Sequence, residues 1–260
     1  MKRFLPLICM FLFCVSALAQ KGVKESCQAE IPPKIDGNPS EWQTEWLLDP
    51  DGKFIYNVCN DANNLYVRIQ MSDNEVQRKV GLFGFTLWLD PSGKKKEKYG
   101  LRYPVGAYNQ EKDLPQVPKD AKRGELEKAL LSDVEGLELI GLADDPIYSS
   151  RHGLMNGLEM AITAMDDGVY QYEVKIPFKA FRLDRSKIPV LGVGFETGRH
   201  DPKIPPQQNR SGASPSSLAA GGRGNGVMGN NMNYAVAMMG TGGYSKWTTP
   251  TKMWFAVKLN

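Results

Sequence analysis

The stretch Phe54-Ile55-Tyr56-Asn57-Val58-Cys59-Asn60-Asp61-Ala62-Asn63-Asn64-Leu65-Tyr66-Val67-Arg68-Ile69-Gln70-Met71 decides the fold class. Phe54, Tyr56 and Val58 alternate with polar or smaller residues, and Leu65, Val67, Ile69 and Met71 do the same after the Asn60–Asn63 turn. A period of two places one apolar face on each segment, and Asn and Asp tolerate the turn dihedrals, so the stretch reads as a β-hairpin with one buried side. Working outward, Phe83, Phe85, Leu87 and Leu89 form the next apolar face and end at the turn Asp90-Pro91-Ser92-Gly93. Leu158–Ile162, Tyr170–Ile176, Val190–Phe195 and the set Met253, Phe255, Val257 and Leu259 continue the pattern. Eight or more short strands separated by turn chemistry predict an all-β, antiparallel β-sandwich of jelly-roll type. The helical signal is thin, and Gly124–Ser132 is predicted as the one short helix. Lys94, Lys95, Lys96 and Lys98 read as a solvated turn between strands.

The chain has 260 residues, 42% hydrophobic and 23% charged, with 26 Gly and 17 Pro, which is a globular composition. Its N-terminus carries Lys2 and Arg3, an apolar run from Phe4 to Val15, and the small-residue pattern Ala17-Leu18-Ala19. That order reads as a signal peptide, residues 1–19, cleaved between Ala19 and Gln20, so the protein is expected to be secreted to the periplasm or cell exterior. The run is too short for a bilayer span and no later segment is longer, so no transmembrane segment is expected. Cleavage removes two basic residues and changes the balance from 32 basic against 29 acidic to 30 against 29. A chain so near neutrality gives no reason to expect a nucleic-acid partner.

Residues 20–260 read as a single domain. Between Asp201 and Tyr244 the texture turns to Gly, Ser, Asn, Pro and Met, and residues 201–244 are predicted as a flexible loop inserted before the last strand. Gly224, Gly226 and Gly229 match GxGxxG, but no strand precedes them and no helix follows. Cys9 and Cys14 leave with the signal. Cys27 and Cys59 remain, and in an oxidising compartment they are a candidate disulfide or, unpaired, two small buried residues.

No enzyme motif is found. The two histidines, His152 and His200, lie outside any HExxH pattern, and neither a GxSxG elbow nor a GxxxxGK[ST] loop occurs. Asp144-Asp145-Pro146 and Asp166-Asp167-Gly168 are turn-formers first. The expectation is a non-catalytic binding protein. Among the five tryptophans, Trp42 reads as core, while Trp88 and Trp254 fall on the strand face opposite the Phe and Leu set. Trp247 sits in the polar context Ser245-Lys246-Trp247-Thr248-Thr249-Pro250, which marks it as a ligand-stacking candidate or a loop anchor.

Several ordered segments share a pattern. Pro33-Lys34-Ile35-Asp36-Gly37 with Glu41-Trp42, Asn60–Val67, Phe85-Thr86-Leu87-Trp88-Leu89-Asp90, Tyr170–Phe178, Leu191–Phe195 and the closing Trp247–Leu259 segment resemble the family 9 carbohydrate-binding modules. The resemblance implies a carbohydrate partner, clamped between two aromatic rings. Trp247 falls at one clamp position and Phe83 stands in at the other, with Trp88 and Arg102 as further ligand-binding candidates. Thr86 occupies the place of an acidic residue usual in such modules. The resemblance also implies structural calcium, for which Asp61, Asp73 and Asp90 are the candidate ligands. The wider DOMON-like superfamily includes haem-binding members with methionine or lysine ligands. Met155, Met160, Met165, Met228, Met232, Met238, Met239 and Met253 make haem a second reading, beside ordinary core packing. A third reading is a structural protein with envelope partners.

Overall fold

The computed structural model describes residues 22–42, 45–107, 124–132, 136–149, 157–200 and 245–260. The signal-peptide reading and the Gly-rich 201–244 segment lie outside them.

Among the described residues thirteen strands form two sheets. The seven-stranded sheet runs β1 (Val23–Glu25), β13 (Lys252–Lys258), β12 (Leu191–Thr197), β6 (Phe85–Asp90), β7 (Tyr99–Arg102), β8 (Leu137–Ile140), β9 (Ile147–Ser149). The six-stranded sheet runs β10 (Glu159–Ala164), β11 (Tyr170–Pro177), β5 (Asn64–Met71), β4 (Ile55–Asn60), β2 (Cys27–Gln28), with β3 (Leu47–Leu48) also on β4. Strand pairs are antiparallel except β1 with β13 and β2 with β4. This is an all-β sandwich, as the alternation predicts.

The inner faces are the apolar positions read from the sequence. Leu65, Val67, Ile69 and Met71 of β5 face Phe85, Leu87 and Leu89 of β6 within one buried cluster. Phe195 is its aromatic centre, edge-on to Tyr56 at 5.5 Å and to Phe255 at 5.5 Å. Such tilted and edge-to-face contacts are the favoured arrangement for packed rings.

The helical content is where sequence and structure part. Helix α2 (Glu125–Leu131) falls inside the predicted segment. Helix α1 (Asn74–Phe83), ten residues long, was not expected. Asp73 caps it by accepting from the amides of Glu75 and Val76 at 3.0 Å each, and Val76 and Val80 point one face into the core. Phe83 therefore ends a helix and does not extend the apolar face of β6; Gly84 turns the chain into the strand with φ of 93°. Helix α2 packs on α1, and a Cβ on Gly81 would come within 2.8 Å of Leu130.

Segment 30–42 crosses the outer face of the six-stranded sheet. Glu173 of β11 is buried and accepts from the amides of Gly37 at 2.8 Å and Asp36 at 3.1 Å. Arg68 of β5, its register partner, donates to the carbonyls of Pro39 and Trp42, and the exposed Trp46 ring lies 3.6 Å from its guanidinium carbon. Burial lowers Arg68 to about 10, and burial raises the Glu173 carboxyl. Cys27 and Cys59 are register partners in the parallel pair β2–β4 and form a disulfide.

Candidate functional site

The structure brings Trp247 and Phe83 together and closes the space between them. Trp247 sits on the single-turn helix α3 (Ser245–Thr248) and is 2% exposed. Its ring meets Phe83 at 6.5 Å between centroids, tilted by 61°, within a buried cluster that also holds Leu82 and Leu130. Of the two sequence readings of Trp247, anchor or stacking residue, the geometry is that of an anchor. The rings are in contact with each other, so a sugar has no slot between them.

Trp88 and Arg102 lie elsewhere, on the outer face of the seven-stranded sheet, where the side chains form two rows across the strands. One row reads Trp254 on β13, Gly194 on β12, Trp88 on β6, Gly100 on β7 and Ile140 on β8. The next reads Lys252, Glu196, Thr86, Arg102, Glu138 and Tyr148. In the first row each indole leans by one strand over a glycine. A Cβ on Gly194 would lie 2.6–2.7 Å from Cε2, Cδ2 and Cζ2 of Trp254, and one on Gly100 would lie 2.8 Å from Cζ3 of Trp88. Three near-equal distances to fused-ring atoms mean that the Trp254 indole lies flat on the sheet. Glycine is required beneath it because any side chain would lift the ring.

The two tryptophans differ in what remains open. Trp88 is 7% exposed and its Nε1 donates to Glu196 Oε2 at 2.7 Å, so it supports and orients that carboxylate. Trp254 is half-buried. Its inner face lies on Gly194.

Polar groups flank that ring. Lys252 pairs with Glu196 at 2.9 Å and with Glu97 at 2.8 Å. Partial burial pulls the Lys252 ammonium down, but the two carboxylates more than offset it and hold the pKa above the ordinary 10.5. Further along the row, Arg102 pairs with Glu138 and donates from Nε to Thr86 Oγ1 at 3.3 Å. The site therefore offers a flat apolar ring beside charged donors and acceptors already held in place. Chemically it can stack and hydrogen-bond. The sequence places Trp254 only on the strand face opposite the Phe and Leu set; the signal that singles it out is Gly194 in Leu191-Gly192-Val193-Gly194-Phe195, its direct cross-strand neighbour.

The three candidate calcium ligands sit in three different turns, each occupied by hydrogen bonds. Asp61 accepts from the amides of Asn63 and Asn64 and from Tyr66 Oη at 2.6 Å. Asp73 caps α1 and pairs with Lys53. Asp90 accepts from Ser92 and from the Lys96 amide at 2.9 Å. Among the described residues no group of three or more His, Cys, Asp or Glu side chains is placed to hold a metal. Of the methionines weighed for haem, Met253 is core, Met160 packs against the core and Met165 is exposed. Met155, Met228, Met232, Met238 and Met239 lie outside the described residues, as does His152. No helix among the described residues is long and apolar enough to cross a membrane.

No family model and no curated protein matches the chain. In fold it is similar to a carbohydrate binding module family 9 from Caldicellulosiruptor kristjanssonii in complex with glucose, at 12% identity over 70% of this chain and 80% of that one, with a TM-score of 0.33. It is likewise similar to a carbohydrate binding module family 9 from Caldicellulosiruptor kristjanssonii in complex with cellotriose, at 13% identity over 70% and 78%, with a TM-score of 0.32.

Proposed function

We propose that this chain is a non-catalytic carbohydrate-binding module that takes sugar on the outer face of its seven-stranded sheet, at Trp254. The observation that carries the reading is the indole laid flat over Gly194 and only partly buried. A pyranose ring has one face rich in C–H groups that packs on an aromatic surface, and hydroxyls at its rim that need fixed partners. Lys252, Glu196 and Glu97 supply donors and acceptors beside the ring. The ion pairs hold these side chains in place before a ligand arrives, which lowers the ordering cost of binding. Action after export fits the leader-like N-terminus and the Cys27–Cys59 bond, both suited to an oxidising compartment.

The test is titration of the exported chain with a panel of neutral oligosaccharides, read by tryptophan fluorescence and calorimetry. Binding by at least one member, weakened tenfold or more in Trp254→Ala, is the expected result. A panel that gives no heat and no fluorescence change, or binding that Trp254→Ala leaves intact, overturns the proposal.

A further inference from the structure

A concave feature lies away from Trp254, where the Asn60–Asn64 turn meets the segment that follows β11. It is a cleft of about 860 Å³, within the range of small-ligand sites. Leu183, Ile188 and Leu259 supply apolar lining; Asn63 and Ser186 add an amide and a hydroxyl. The segment Lys179-Ala180-Phe181-Arg182-Leu183-Asp184-Arg185-Ser186-Lys187 carries four cations and one carboxylate. That carboxylate is already committed, because Asp184 pairs with Lys187 at 2.8 Å and accepts from Ser186. Lys179 and Arg182 line the cleft, are exposed, and make no ion pair among the described residues. Arg185 lines it too, donating to the Asn260 carbonyl while its buried Nε has no acceptor among the described residues.

The backbone holds this arrangement at a cost. Arg182 is in the left-handed region with φ of 54°, fixed by its amide donating to the carbonyls of Lys179 and Phe178. A non-glycine residue there is uncommon and carries strain. Glycine would relieve it, so the backbone itself does not call for an arginine at this position.

From these observations we infer that the cleft binds an acidic saccharide, whose carboxylate is taken by Arg182, Arg185 and Lys179. A guanidinium fork matches a planar carboxylate in shape and charge, which explains arginine at two of the three positions. The apolar lining suits the C–H face of a sugar ring, and Asn63 and Ser186 suit its hydroxyls. The ligand class is thus a uronate-bearing oligosaccharide, and the site is independent of the Trp254 platform.

Amide chemical shifts of the exported chain, followed during titration with trigalacturonate, neutral galactotriose and sodium phosphate, test it. Trigalacturonate is expected to shift the amides of Asn63, Arg182 and Ser186 and to bind at least tenfold more weakly at 300 mM than at 20 mM salt. Arg182→Gly, which relaxes the backbone, and Lys179→Gln are each expected to weaken it tenfold or more, while Trp254→Ala leaves it unchanged. The inference is overturned if trigalacturonate leaves these amides unmoved, or if neutral galactotriose shifts them equally. It is overturned equally if phosphate alone reproduces the shifts at the same concentration, or if both cleft variants bind as the parent does.

Discussion

Gly194 lies directly beneath the indole of Trp254, on the neighbouring strand and in the same cross-strand row, with no room for a Cβ between them. The flatness of the ring is therefore a property of β12 as much as of β13. Gly194→Val is expected to tip the ring off the sheet, cost about 1–3 kcal/mol of stability through overpacking, and abolish oligosaccharide binding. Trp254→Ala should abolish the same binding without that overpacking penalty. Urea midpoints and the glycan titration, run on both variants, separate the effect on the platform from loss of fold.

Asp73 holds the start of α1 and pairs with Lys53. Burial pushes its carboxyl up, but Lys53 and the amides of Val76 and Glu75 outweigh that and hold it below 3.8. A carboxyl lowered in the folded state stabilises above its unfolded pKa of about 3.9, and that stabilisation is lost as the pH falls through the lower folded value. Asp73→Ala should cost about 1 kcal/mol at pH 7. The gap between parent and variant should close below about pH 4, which urea midpoints at pH 7, 5 and 3 will show.

Glu173 behaves in the opposite sense. Burial raises its carboxyl above 4.5, so the folded chain loses stability as the pH rises from the unfolded value through the folded one. Glu173→Gln should flatten that part of the pH profile. Glu173→Ala should be far worse, costing about 3 kcal/mol or more, because it strips the acceptor from two amides and the nearby negative charge from buried Arg68. Stability measured between pH 4 and pH 7 distinguishes the two variants.

The Cys27–Cys59 bond spans 32 residues of sequence. Loop-closure entropy for that span predicts a loss of about 3–4 kcal/mol on reduction or in the Cys27→Ser, Cys59→Ser double variant. Guanidinium midpoints with and without reductant are the check. A disulfide contributing under about 1 kcal/mol would mean that the reduced chain keeps its ends together by other means.

The sandwich was legible because each inner strand repeats every two residues: Leu65, Val67, Ile69 and Met71 announce their face without help from distant chain. Helix α1 was not, although Asp73 followed by Val76, Val80 and Phe83 has helical spacing. Phe83 also continues the alternation of Phe85, Leu87 and Leu89, and the shorter period captured it. Trp247 misleads for a different reason. Its neighbours in sequence are polar, whereas its neighbours in space, Leu82, Phe83 and Leu130, come from α1 and α2. Exposure of Trp88 and Trp254 depends in the same way on which strands lie alongside, and no pattern within β6 or β13 alone separates them.

The passage from β1 to β2 gives the sandwich a mechanical character. Three residues pair with β13 in one sheet, two pair with β4 in the other, and Ser26 between them is tied to both Lys258 and Asn60. Because both pairings are parallel, tension along this strand would load hydrogen bonds of the two sheets together in shear, with the Cys27–Cys59 bond as a covalent stop on one side. A pull there is resisted by both layers at once and cannot unzip either one bond at a time.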